Sequence, residues 1–132
     1  VTSFDTTATV DRVRTVAASC VLTVAVIHAA LVQPHLRELF YLGVLFAIGT
    51  AGLLVAFAGL LQSRTSVLSW WLAGLVLLGM FGGYLASRTT GLPMGHTEEW
   101  NAFGIASVVV EFVYFLAFGA MMWLRPAHGP LP

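Results

Sequence analysis

Four long apolar runs dominate the chain, at roughly residues 16–32, 39–61, 68–86 and 103–124, with short polar interruptions between them. Each comes close to the ~20 residues a helix needs to cross about 30 Å of hydrocarbon at 1.5 Å per residue. None shows the recurrent polar face that a helix of a soluble domain turns to water. Nothing alternates with a period of two, so the strands of a membrane barrel are not predicted. The pattern predicts four transmembrane helices.

The interruptions are brief. Residues 33–38 carry Pro34, residues 62–67 carry Ser63, Arg64, Thr65 and Ser66, and residues 87–102 carry the breakers Gly91, Pro93 and Gly95. Short connections favour antiparallel neighbours. The expected fold is therefore all-α, an integral membrane four-helix bundle running up-down-up-down, with residues 1–132 as a single transmembrane domain. Arg12 and Arg14 before the first apolar run, and Ala29-Ala30 near its end, imitate a secretory signal. We read that run as the first transmembrane helix. A first residue of Val rather than Met suggests an alternative start codon or trimming.

Arginine placement sets the expected orientation. Arg12, Arg14, Arg64 and Arg125 fall on the side of the termini, and Arg37 and Arg88 on the other. Positive charge is retained inside, so both termini are expected in the cytoplasm. Trp70, Trp71 and Trp123 then fall at the inner interface and Trp100 at the outer one, where amphipathic rings are favoured.

Composition supports lipid as the solvent: 58% of residues are hydrophobic and only 9% charged, too few to solvate a globular surface. The net charge is zero and every basic side chain besides histidine is one of six arginines, so nucleic-acid binding by a basic patch is excluded. Cys20 is the single cysteine, which rules out an internal disulfide, a thiolate zinc site and a CxxC motif; in its apolar run it reads as a small packing residue. Gly79 and Gly83 on the third helix, and Ala47, Ala51, Gly52 and Ala56 on the second, form small-residue faces. In lipid such faces allow close helix contact, within this bundle or onto another subunit.

The chemistry-bearing residues lie toward the outer side: His28, His35, Arg37, Glu38, Arg88, His96, Glu98, Glu99 and Glu111. Glu111 sits near the middle of the fourth run, where a carboxylate costs about 2.5–3.5 kcal/mol and is expected to face the interior and find a partner. Ser107 and Tyr114 flank it at one-turn spacing, and Gly104 extends the stripe. His28 lies inside the first run, and His35 follows two turns later on nearly the same face if Pro34 only kinks the helix. The segment Met94-Gly-His96-Thr-Glu98-Glu99-Trp100 brings thioether, imidazole and carboxylate together. A metal site drawing on His28, His35, His96 and Glu111 would favour copper or another transition metal. The competing readings are an interhelical hydrogen bond for His28, a protonated interior Glu111, and a solvated loop. Haem is less well served, because two histidines on one helix cannot flank one iron. Arg88 is expected either to snorkel outward or to reach down toward Glu111.

The run Gly83-Tyr84-Leu85-Ala86-Ser87-Arg88-Thr89-Thr90-Gly91-Leu92-Pro93, followed by Trp100, Gly104, Ser107 and Glu111, resembles small, uncharacterised four-span membrane proteins of actinobacteria. Those share an SRT-x-GLP ending to the third helix and a W…G…S…E opening to the fourth. The resemblance covers about a quarter of the chain and implies a bacterial cytoplasmic (inner) membrane, multi-pass location. It points to Arg88, Trp100 and Glu111 as positions of interest, and the Met94–Glu99 insert departs from it.

Three functions fit. The first is an accessory subunit of a larger bacterial membrane complex, with lipid, other membrane subunits or a second copy of the chain as partners. The second is a metal- or cofactor-binding membrane protein with an outward-facing His/Glu site. The third is a small proton-coupled transporter using Glu111. No Ser-His-Asp, phosphate-loop or HExxH pattern points to an enzyme.

Overall fold

The computed structural model describes residues 3–62 and 66–124. Arg64 and Arg125, which enter the expected orientation, lie outside the described residues. Four helices follow one another: α1 (Ser3–Glu38), α2 (Phe40–Leu61), α3 (Ser66–Thr89) and α4 (Ala102–Leu124). All four are long and apolar enough to cross a membrane. In hydrocarbon each backbone N–H and C=O must be satisfied within the chain, and a continuous helix does this without a partner. The protein is a small, multi-pass, all-α membrane bundle.

The helices extend beyond the apolar runs at several ends. α1 is 36 residues long and passes straight through Pro34, so the first connection shrinks to Leu39. A proline removes one intrahelical hydrogen bond but does not forbid continuation. The tight reversal depends on Gly43, because a Cβ there would collide with Leu36. α3 likewise continues past 86 to Thr89.

Neighbours in sequence are neighbours in space: α1 packs against α2 and α4, and α2 against α3, while α3 and α4 meet sparsely. The bundle has two unlike halves. Toward the end where α1 begins and α4 ends, Val21 and Val24 of α1, Leu53 and Leu60 of α2, Trp70 and Leu77 of α3, and Tyr114 of α4 are fully buried together. The Tyr114 hydroxyl donates to the Trp70 carbonyl oxygen at 2.6 Å and ties α4 to α3. At the other end, which holds the α1–α2 and α3–α4 connections, interior apolar side chains are sparse, and a cavity takes the place of a core. We call these the packed end and the loop end.

Two expectations change here. Trp70 does not turn its ring outward as an interfacial side chain would; it is wholly buried within the bundle, with the rings of Tyr114 and Phe118 at 5.7 and 5.9 Å. It belongs to the inward stripe Trp70-Ala73-Leu77, whose alanine leaves room for the indole. Trp71, Trp100 and Trp123 are exposed. Nor do Gly79 and Gly83 bring two helices together, since a Cβ at either meets nothing within 4 Å. The close approach is instead on α2, where a Cβ at Gly52 would lie 3.2 Å from Val76 of α3, and Gly49 faces Met80.

Removing the Tyr114 hydroxyl should weaken the α3–α4 tie without disturbing the ring packing. Tyr114→Phe is expected to lower stability by about 1 kcal/mol, measured by reversible unfolding in mixed detergent micelles. An unchanged unfolding midpoint would show that the bond does not form.

Candidate functional site

The loop-end cavity has a volume of about 660 Å³ and is bounded by all four helices and the α3–α4 connection. Leu31, Leu45, Phe46, Val76, Met80 and Val108 give it apolar walls. Its polar groups gather at two levels, one at the mouth and one on the floor.

Glu98, in the connection, organises the mouth. Its Oε2 receives the Arg88 guanidinium at 2.9 Å, and its Oε1 lies 3.2 Å from His35 Nε2 and 3.4 Å from His96 Nε2. The loop geometry holds the residue in place. Gly91 and Gly95 take positive φ of 82° and 74° to turn the chain, and the Leu92 N–H donates to the His96 carbonyl at 2.7 Å. The Glu98 N–H then donates to the Ser87 carbonyl at 2.9 Å, and the Tyr41 hydroxyl of α2 donates to Pro93 O at 2.9 Å. Arg88 also bonds Ser87 Oγ at 2.5 Å and lies over the Tyr84 ring at 3.8 Å. Tyr84 in turn meets the edge of Trp100 and covers Gly104, where any Cβ would strike its ring.

His28 and His35 share one face of α1 and both stack on Phe46, at 5.1 and 4.4 Å between ring centroids. Each Nδ1 donates to the carbonyl one turn earlier, Val24 at 3.0 Å and Leu31 at 2.8 Å. For His35 the second nitrogen faces Glu98 as well. Only the imidazolium, with two N–H groups, donates to both. For His28 the Nδ1 bond leaves Nε2 of the neutral ring as an acceptor.

The floor is Glu111. Ser107, Glu111 and Tyr114 form the inward stripe of α4, and the Glu111 side chain is almost wholly buried at 3% exposure. Its Oε1 accepts the Ser107 hydroxyl at 2.9 Å, while Oε2 has no partner among the described residues. Tyr114 turns away to Trp70. Glu111 and Val108 also line a second, otherwise apolar opening of about 510 Å³ between α3 and α4, walled by Leu78, Phe81 and Phe112 among others.

The histidines and Glu111 named as metal ligands do not converge. His35 and His96 meet on Glu98, His28 lies a level deeper, and Glu111 pairs with Ser107. Among the described residues no group of three or more His, Cys, Asp or Glu is arranged to hold a metal ion. Met94 projects outward, 84% exposed. Arg88 neither snorkels free nor reaches Glu111, because Glu98 holds it. Cys20 is buried in the packed end. Sequence reasoning missed the central role of Glu98 and the parts played by Phe46 and Tyr84. His35 and Glu98 are 63 residues apart, and no spacing rule connects them.

Neither a known family model, nor a curated protein, nor a solved structure matches this chain.

Partial burial alone would raise the Glu98 carboxyl, but the His35 hydrogen bond, the charges of Arg88 and His35 and the His96 hydrogen bond outweigh it and hold it below the usual range. A carboxyl that gives up its proton more readily when folded stabilises the fold at pH values above its ordinary range. That contribution is lost as pH falls through the lower, folded value. Thermal melting of wild-type protein should therefore fall more steeply from pH 7 to pH 3 than melting of Glu98→Gln. Parallel curves would show that the mouth cluster contributes nothing to stability.

Proposed function

We propose that the loop end of the bundle binds a membrane-borne small molecule, admitted from the bilayer where α3 and α4 diverge. The observation that carries this reading is a cavity of about 660 Å³ with apolar walls and few polar groups. That is the size and make-up of small-molecule sites, which run from roughly 300 to 1,000 Å³. The second opening between α3 and α4 shares Glu111 and Val108 with it, which supports a lateral route. With both termini cytoplasmic, as the arginines favour, the site lies in the outer half of the membrane. The closed packing at the other end supports binding rather than passage, so a proton-coupled transporter needs a second arrangement of the same helices.

The chain also suits a role as an accessory subunit of a larger bacterial membrane complex. Gly82 is exposed and outside the cavity lining; a Cβ there would meet nothing within 4 Å, and the neighbouring Leu78 is 58% exposed. A smooth face of this kind suits a helix of another subunit or of a second copy. Its resemblance to actinobacterial four-span proteins agrees with a bacterial membrane setting.

Two experiments separate these readings. Gly79→Leu/Gly83→Leu places bulk in open space within the cavity, and leucine is the better helix former, by about 0.5–1 kcal/mol per site. The double variant should fold with undiminished stability yet lose the small molecules that organic extraction and mass spectrometry recover from the wild type. Recovery of the same molecules in the same amount contradicts the binding reading. For the subunit reading, gentle detergent extraction from native membranes should yield a particle heavier than one 14.2 kDa chain. A protein that migrates alone contradicts it.

A further inference from the structure

We propose that the ligand of this cavity is a lipophilic ammonium, an apolar body bearing one N–H cation, with its charge seated on Glu111. This rests on the binding reading above and adds the chemistry of the occupant. The floor of the cavity lacks a cation. Among the described residues Arg88, His35 and His96 are engaged with Glu98 at the mouth, Arg14 pairs with Asp11 on the opposite half of α1, and Arg12 and Arg37 are exposed and outside the cavity lining. Glu111 has one hydrogen-bond donor, Ser107, for two oxygens, and its Oε2 is buried without a partner among the described residues. It lies nine residues into α4, about 13 Å along the helix from its start. A carboxylate so placed needs a counter-charge or a proton.

The second hydrogen-bonding atom within the cavity walls is of the same kind. The Nδ1 of His28 is committed to Val24, so its Nε2 accepts rather than donates. The interior thus offers acceptors, while the unpartnered donors, Tyr84 Oη and Arg88 Nε, belong to the mouth. An ammonium donates to acceptors and neutralises Glu111, whereas a carboxylate or a ketone, which has no N–H or O–H to give, would leave both unmet.

Three probes of one shape and different polar groups test this: 1-adamantylammonium, 1-adamantanol and 1-adamantanecarboxylate, titrated calorimetrically into the full chain in detergent at pH 7. The ammonium should bind most tightly, the alcohol more weakly and the carboxylate not measurably. Glu111→Gln, which keeps the shape and the Ser107 bond, should lower ammonium affinity roughly tenfold or more and leave adamantanol binding as in the wild type. Unchanged adamantanol binding shows that the variant is folded with its cavity intact. Equal ammonium affinity in wild type and Glu111→Gln, or carboxylate binding as tight as ammonium binding, overturns the assignment while leaving the cavity as a site. If none of the probes binds and Gly79→Leu/Gly83→Leu changes nothing, the binding reading falls and this inference with it.

Discussion

In hydrocarbon, helices gain nothing by hiding apolar surface from one another, so a bundle holds together where its side chains interlock. Here the interlocking is concentrated at one end. Val24, Leu53, Leu77 and Tyr114 fill a fully buried layer there, and the hydroxyl of Tyr114 reaches the backbone of α3. That end fixes how the four helices are aimed. With α3 and α4 anchored through Trp70 and Tyr114, they can separate further along, and the hollow at the loop end follows from the anchor.

The hollow is closed on its aqueous side by charge rather than by apolar packing. Glu98 gathers Arg88, His35 and His96 from α3, α1 and the connection, so one carboxylate ties together parts distant in sequence. Such a cluster is cheap near the headgroups, where water reaches its rim, and would be costly at the depth of Glu111. The division of labour follows: at the mouth Arg88 and Glu98 meet as opposite charges, while on the floor the Glu111 carboxyl meets no cation among the described residues. Satisfied polar groups rigidify a structure, and unsatisfied ones mark where something else belongs.

Much of the architecture was legible in the residues, because the bilayer imposes length and hydropathy on every span. The inward stripe of α4 was also legible, since Ser107, Glu111 and Tyr114 recur at one-turn spacing on an otherwise apolar helix. The shared face of His28 and His35 followed from a spacing of seven, once α1 ran through Pro34. The pairing of Glu98 with His35 and Arg88 was not legible, because a loop ligand is placed by turns at Gly91 and Gly95 rather than by a period. Gly79-x-x-x-Gly83 misled for a related reason. Two glycines permit close contact but do not compel it, and here the neighbouring helix leaves. The inward turn of Trp70 was not legible, because the room for its indole is made by Ala73 and by packing against Tyr114 and Phe118 of another helix.

The central claim is that one half of this bundle is a packed core and the other an accessible hollow. Thiol labelling tests it most directly, with single cysteines introduced by Gly83→Cys or Ala73→Cys in a Cys20→Ala background and N-ethylmaleimide as the reagent. Gly83 lines the cavity and Ala73 is fully buried in the packed end. The cysteine at 83 should react in the folded protein, and the one at 73 only after unfolding. Equal reactivity at the two positions in the folded state would contradict the account.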